Sequence, residues 1–205
     1  MSCKVPGMVG TRGRPRSEEA RIAILKTALR LCERDGYQQV TIKAIADEAG
    51  VGRQTVYRWW PDKTEVVLDA LLDLTERELP QMFHETGDTL RDVEAILRLT
   101  FDYSQRITGR ALVGVMADAQ SDPELSKRLQ GMVIGPRRAA LRDILRRGVE
   151  AGTLAESVPL SLVVDFAWGT MWYRLLSRHA PINAALAKEI TDAVALMLSP
   201  GTLDH

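Results

Sequence analysis

Three polar side chains near the amino end can recognise nucleic acid. Arg53, Gln54 and Arg58 lie in one short segment whose spacing predicts a helix. An arginine can donate two parallel hydrogen bonds to guanine, and a glutamine amide can pair with adenine in the same way. We therefore expect these three side chains to read base edges of double-stranded DNA through hydrogen bonds.

Neighbouring side chains are suited to phosphate contacts, which position a protein on DNA without reading its sequence. The hydroxyls of Thr55 and Tyr57 can donate to phosphate oxygens, and Lys63 opens the next predicted helix, where a cation and free amides form an anion site. The backbone-contacting set is Lys43, Thr55, Tyr57, Trp59 and Lys63. Three cations of the amino-terminal arm are candidates for the minor groove, although a solvated tail explains them equally well: Arg12, Arg14 and Arg16.

Two short helices joined by a tight turn must position this segment. Thr41 is a typical N-cap, the apolar residues after it recur at helical spacing, and Gly50 ends the helix. A second helix begins at Arg53 and ends before Pro61, which disfavours helical geometry in the residue that precedes it. The pair predicts a helix-turn-helix, a motif whose second helix enters the major groove. The residues expected to pack inward are Val51, Val56 and Trp60.

All other periodic segments of the chain also predict helices, so the expected fold class is all-α. Ser17 caps a first helix over about residues 18–35, and Gly36 stands just past its end. Later helices are predicted over about residues 63–79, 90–107, 110–119, 123–151, 159–177 and 182–198, with a kink at Gly135-Pro136. The expected organisation is a flexible basic arm (1–16), a three-helix DNA-binding domain (17–62) and a C-terminal helical bundle for ligand binding and dimerisation (63–205).

Composition supports a DNA-binding module joined to a larger domain. The 205 residues are 45% hydrophobic, enough to bury a substantial core. The net charge is zero, but residues 1–65 hold 12 Lys/Arg against 8 Asp/Glu and the remainder is acidic, so polyanion contact is expected at one end only. The chain has neither a signal-peptide pattern nor an apolar run of about 18 residues, which favours a cytoplasmic protein without a membrane partner.

The sequence lacks the usual motifs of an enzyme, a metal site or a cofactor site. It has no Gly-rich phosphate loop, no His-Glu-x-x-His and no Gly-x-Ser-x-Gly, and its histidines stand alone. Cys3 and Cys32 suggest neither a disulfide framework nor paired metal ligands, and Cys32 is expected in the core. We therefore expect no catalytic activity, no cofactor and no metal.

The run from Thr41 to Lys63 closely resembles the DNA-binding signature of the TetR/AcrR family of bacterial repressors. It reads TIKAIADEAGVGRQTVYRWWPDK, and the resemblance covers about residues 17–70. Arg58 and Trp59 depart from the commonest pattern, in which an aromatic residue and then a histidine are frequent. The resemblance implies a homodimer whose subunit has about nine or ten helices, with a ligand pocket among the C-terminal helices.

The last two predicted helices carry a surplus of apolar surface. In the TetR/AcrR family, which the chain resembles, such helices pair across a two-fold axis. We therefore expect a homodimer through the helices over about 159–177 and 182–198. Two-fold symmetry then predicts a near-palindromic operator. The alternative is a monomer in which the helix over 159–177 is simply a central core helix.

An unidentified small molecule is expected to enter the C-terminal domain and release the DNA. Ligand sites are concave and mostly apolar with a few polar groups, although each candidate below is also compatible with an ordinary core position. The candidate wall residues are Phe101, Met116, Met132, Trp168, Trp172 and Tyr173. The predicted function is thus a ligand-released repressor; a ligand-independent regulator, an activator with the same DNA-binding domain and a helical interaction protein are the alternatives.

Overall fold

The computed structural model describes residues 14–77 and 83–199, with side chains from residue 18 onward. These residues form ten α-helices and no strand. The helices are α1 Arg14–Asp35, α2 Ile42–Ala49, α3 Arg53–Tyr57, α4 Lys63–Arg77, α5 Thr89–Tyr103, α6 Gly109–Ala119, α7 Pro123–Leu129, α8 Gly135–Glu150, α9 Leu160–Ser177 and α10 Ala184–Met197. The all-α fold is confirmed. None of these helices has the length and apolarity needed to cross a lipid bilayer.

Local sequence signals define the helix-turn-helix. The Thr41 side chain accepts a hydrogen bond from the Ala44 amide at 3.1 Å, which satisfies one of the free N–H groups at the start of α2. Gly50 ends α2 with φ of 70°, and Gly36 follows α1 with φ of 87°. Both lie in the left-handed region that favours glycine, so Gly36 allows the chain to turn after α1 and Gly50 allows the turn from α2 into α3.

Two pairs of helices run on through π-helical turns. Ser104–Thr108 joins α5 to α6, and Gln130–Ile134 joins α7 to α8. The predicted break between residues 107 and 110 is therefore wrong: Gly109 keeps helical geometry, and a Cβ there would lie 2.1 Å from the Ser104 carbonyl oxygen. Pro136 lies in the first turn of α8, where its missing N–H is tolerated, so the irregularity predicted at Gly135-Pro136 takes the form of a π turn just before it.

The predicted start of α1 and the predicted end of α3 differ from the structure. α1 begins at Arg14 and not at 18, because Pro15 is tolerated in a first helical turn. Arg14 and Arg16 of the predicted arm therefore belong to α1, whereas Arg12 lies outside the described residues. α3 ends at Tyr57, and the chain turns before Pro61. α4 is described as far as Arg77, and its predicted end at 79 lies outside the described residues.

The described residues form two hydrophobic cores that share helices of the larger domain. The first core contains buried residues of the four helices α1, α2, α3 and α4. It also contains buried residues of α6 and α7, including Leu112, Val115 and Leu129. The second joins α5, α8, α9 and α10. Cys32 is fully buried in the first core, as expected, and burial raises the pKa of its thiol to about 12. Helices α1 and α4, which flank the helix-turn-helix, therefore pack directly on α6.

Candidate nucleic-acid interface

The side chains predicted to read bases lie on the outer side of α3 and at the residue that follows it. Arg53, Gln54 and Arg58 are all exposed, and their side chains have no hydrogen bond or ion pair with a described residue. Gly52 caps α3 with extended backbone (φ −72°, ψ 144°) and without a side-chain hydrogen bond. Uncommitted donors and positive charge therefore concentrate on this face, which is the arrangement that a recognition helix requires.

The opposite face of this segment anchors it to the first core. Val56 and Trp60 are buried, and Val51 is half-buried against the same core, so the predicted inward packing is confirmed. The Trp60 indole N–H donates to Asp69 Oδ2 at 3.0 Å, and Arg21 Nη1 donates to the same oxygen at 3.2 Å. This shared carboxylate ties the end of the helix-turn-helix to α1 and α4.

Trp59 lies between the exposed Arg58 and the buried Trp60. Its ring makes an edge-to-face contact with Trp60, with centroids 5.3 Å apart, and the Arg58 guanidinium carbon lies 5.5 Å from its centroid. Such a cation–π contact orients an arginine while leaving its N–H groups available. Trp59 is thus placed to hold Arg58 at the exposed surface.

The predicted phosphate-contacting residues fall into two groups. Tyr57 is 51% exposed and Thr55 is half-buried, so both stay at the surface beside α3. Lys43 is exposed and forms an ion pair of 2.8 Å with Asp47. Lys63 is turned inward: its Nζ donates to the Tyr37 and Gln38 carbonyl oxygens at 3.0 and 3.3 Å. A phosphate contact by Lys63 would compete with these bonds.

Cations on α1 are largely neutralised by acidic neighbours. Arg30 and Arg34 both pair with Glu48, at 2.9 and 3.1 Å, and Arg34 also pairs with Asp35. Exposed ion pairs of this kind add little stability, but they lower the net positive charge around α1. The uncompensated cations Arg53 and Arg58 therefore lie on α3 and at its end.

Family models match both parts of this architecture. The model for bacterial regulatory proteins of the tetR family matches residues 24–70, and the tetracyclin repressor-like C-terminal domain matches residues 83–194. The chain belongs to the TetR family of transcriptional regulators. It is similar along most of its length to other helix-turn-helix regulators, so the family assigned from the Thr41–Lys63 run is confirmed.

Three relatives illustrate the extent of the similarity. The uncharacterized HTH-type transcriptional regulator YdeS of Bacillus subtilis (strain 168) is 28% identical, covering 89% of this chain and 91% of its own. The HTH-type transcriptional regulator AqdR of Rhodococcus erythropolis is also 28% identical, over 95% and 91%. The crystal structure of the TetR family transcription regulator SCO0332 is 30% identical with a TM-score of 0.69, covering 89% of this chain and 100% of that one.

Polar contacts connect the DNA-binding helices of this TetR family member to its C-terminal domain. The Tyr37 hydroxyl, Thr64 and the Asp118 carboxylate form one cluster in which Tyr37 and Thr64 both donate to Asp118 Oδ2, the latter at 3.1 Å. Burial and the Asp118 carboxylate raise the pKa of Tyr37. Arg128 of α7 donates to both carboxylate oxygens of Glu65 at 2.6 and 2.7 Å. The start of α4 is therefore held by α6 and α7.

The C-terminal domain of this regulator contains a cavity of about 240 Å³. Its lining residues are Leu112, Ile134, Arg137, Arg138, Asp165, Trp168, Gly169, Met171 and Trp172. Among the predicted pocket residues, Trp168 and Trp172 line this cavity. The others lie elsewhere: Phe101 is buried in the second core, Met116 packs against the first, and Met132 and Tyr173 are exposed.

Arg137 lines the cavity but is absent from the pocket residues predicted from the sequence. Two adjacent arginines on a helix usually indicate a face that is exposed to solvent. A helical-spacing signal was nevertheless present, because Arg137 is in register with Leu141, Ile144 and Gly148, which are all buried on α8. An arginine at a core-facing position is the pattern that could have revealed this part of the cavity.

Proposed function

We propose that this TetR family regulator represses transcription by binding a near-palindromic operator as a homodimer, with Arg53, Gln54 and Arg58 reading base edges. The observation that carries the proposal is that these three exposed side chains, on α3 and directly after it, have no hydrogen bond or ion pair with a described residue. Nearby cations such as Lys43, Arg30 and Arg34 are paired with carboxylates. Free donors on a rigid helix suit base recognition because they need not break an existing contact.

A continuous apolar surface on α9 supports the dimer. Leu162, Phe166, Tyr173 and Leu176 are exposed and recur at helical spacing on one side of the helix. Gly169 lies on the same side, and nothing lies within 4 Å of where its Cβ would be, so another helix could approach closely there. On α10, Leu196 is 67% exposed. Pairing α9 and α10 with their symmetry mates would bury this surface in a four-helix interface.

Release by a small molecule requires a link between the cavity and the DNA-binding helices, and α4 supplies it. α4 begins next to the helix-turn-helix and is held by α6, α7 and α8 through the Asp118, Arg128 and Arg137 side chains. A ligand that favours one placement of α4 would change the spacing of the two recognition helices, provided that its affinity differs between the two placements.

Relatives give this proposal its context. The DNA-binding transcriptional repressor TetR of Mycobacteroides abscessus is 24% identical over 91% of this chain and 97% of its own. The crystal structure of FadR from Bacillus subtilis is described in complex with stearoyl-CoA; it is 18% identical with a TM-score of 0.68, covering 86% of this chain and 98% of that one. A repressor with this fold and DNA as its target would act in the cytoplasm.

Selection of bound fragments from random double-stranded DNA by the purified full-length protein tests the proposal. We expect an enriched site with two-fold symmetry and half-sites spaced by about one helical turn, roughly 34–36 Å, or a small multiple of it. Arg53→Ala and Arg58→Ala should each weaken binding to the selected site by about 1–3 kcal/mol and relax preference at one base pair.

Arg142→Ala is the matched control, because Arg142 is an exposed arginine on α8 without a partner among the described residues. Its affinity and sequence preference should equal those of the parent. Equal loss of affinity for all DNA sequences on Arg53→Ala would contradict base reading by Arg53. A protein that enriches no sequence over random competitor would contradict the proposed function itself.

A further inference from the structure

Two unsatisfied hydrogen-bond donors belong to side chains that line the same cavity. Within the described residues, the buried side-chain nitrogens without a hydrogen-bond partner are Arg137 Nε and Trp168 Nε1. Arg137 projects from α8 and Trp168 from α9, and both residues line the cavity of about 240 Å³. Buried polar groups are normally hydrogen-bonded, so two orphaned donors at one cavity indicate that an acceptor is missing there.

The charge of Arg137 is not balanced by the protein. Its guanidinium makes one hydrogen bond to the described residues, from Nη2 to the Thr75 hydroxyl at 3.3 Å, and no ion pair. The other charged side chains at the cavity are Arg138 and Asp165, which pair with each other and are partly exposed. Desolvation of Arg137 lowers its pKa to about 10, which leaves it cationic at neutral pH. The site thus keeps a positive charge without a counter-ion, on a half-buried side chain whose Nε is fully buried.

The remaining cavity wall is apolar. Leu112, Ile134, Met171 and the two tryptophans line the cavity together with Arg137, and Gly169 adds no side chain. Trp168 is 5% exposed, whereas Asp165 and Gly169 of the same lining are exposed. A mostly apolar site with one cation and one indole donor is complementary to an apolar molecule that ends in an anionic oxygen group.

We propose that the effector is a small apolar or aromatic carboxylic acid whose carboxylate is bound by Arg137 and Trp168. This inference rests on the ligand-release part of the proposed function. The cavity lies below the range of about 300–1,000 Å³ that is typical of drug-sized ligands, so a small acid fits it better than a coenzyme-linked one. The carboxylate supplies the missing acceptor for both nitrogens and the counter-charge for Arg137, while the ring or chain contacts Trp172, Met171 and Leu112.

Arg137 also gives the ligand a path to the DNA-binding helices. Thr75, which accepts its hydrogen bond, lies on α4 and donates its own hydroxyl proton to the Leu71 carbonyl oxygen at 2.8 Å. A carboxylate bound at Nε attracts the same guanidinium that donates to Thr75 through Nη2, so it repositions this side chain relative to α4. Acid binding therefore changes the contact between α8 and α4, the helix through which the two domains are connected.

Calorimetric titration of the full-length protein in the absence of DNA tests the inference. The probes are benzoate, phenylacetate and octanoate, each compared with its amide, which keeps the shape and removes the charge. We expect at least one acid to bind, and its amide to bind at least tenfold more weakly. Arg137→Met should weaken binding of that acid at least tenfold and abolish the preference for acid over amide, whereas Arg142→Met on the same helix should bind like the parent.

Trp168→Phe separates a ligand contact from a loss of folding, because it removes the indole donor together with part of the ring area but keeps an aromatic ring in the wall. Its melting profile should stay cooperative while acid affinity falls about threefold or more. Failure of all three acids to bind, equal binding of acids and amides, or acid binding that survives Arg137→Met would overturn the inference. The DNA selection described above is independent of these titrations, so loss of the proposed operator function would be recognised separately.

Discussion

Replacing Arg137 by methionine should make the free protein more stable. Desolvation lowers the pKa of this guanidinium to about 10 from its ordinary value above 12. Since a pKa lowered by one corresponds to about 1.4 kcal/mol, keeping the charge buried at neutral pH costs about 3 kcal/mol. Methionine retains the apolar stem and loses the hydrogen bond to Thr75, which is worth about 1 kcal/mol. The expected net gain is therefore about 2 kcal/mol.

Urea denaturation and thermal melting measure this difference directly. For a chain of this length, a gain of about 2 kcal/mol corresponds to a melting temperature about 4–8 °C higher. The gain should be constant between pH 6 and pH 8. It should shrink above about pH 10, since there the folded Arg137 releases its proton before the unfolded one does and parent stability rises with pH.

Arg142→Met provides the control, because an exposed arginine without partners should change stability by less than about 0.5 kcal/mol. A loss of stability of about 1 kcal/mol or more on Arg137→Met would refute the reasoning. It would mean that Arg137 stabilises the free protein through its contacts and is not an uncompensated buried charge.

The other predictions concern the domain junction and the dimer. Gly114→Ala should cost about 1–3 kcal/mol in urea denaturation, because the added Cβ would lie 2.1 Å from the Tyr37 ring; Gly131→Ala, with open space around its Cβ, should leave stability almost unchanged. Tyr37→Phe should cost about 1.5–3 kcal/mol by removing a donor from the Asp118 carboxylate, and a change below about 0.5 kcal/mol would contradict that bond. Phe166→Lys should yield monomers in sedimentation at concentrations where the parent is dimeric; persistence of the dimer would argue against the α9 surface.

Much of the fold could be predicted because its signals are local. Thr41 caps α2, and Asp122 accepts hydrogen bonds from Glu124 N and Leu125 N at 3.0 Å at the start of α7, which has Pro123 in its first turn. The inward packing of Val56 and Trp60 follows from their spacing. Caps, glycines and apolar periodicity act within a few residues, so they can be read without knowledge of the tertiary structure.

The continuity of helices could not be predicted in the same way. The sequence around Gly109 gives the ordinary signal of a helix end, yet α5 and α6 continue through a π turn. Whether a glycine ends a helix or allows a close backbone approach depends on what packs beside it. In this chain the close approach of the Ser104 carbonyl and the Leu175 side chain decides the outcome.

The sequence by itself determined the helix-turn-helix, the family and the residues that face outward on α3, since all of these follow from local spacing and a specific motif. The tertiary structure alone decided that Lys63 bonds to carbonyl oxygens of Tyr37 and Gln38, and that Arg137 lies beside a cavity without a counter-ion. The physical reason is that the environment of a charge is set by groups distant in sequence. Only packing of α8 against α4 and α9 determines whether an arginine meets water, a carboxylate or an empty space.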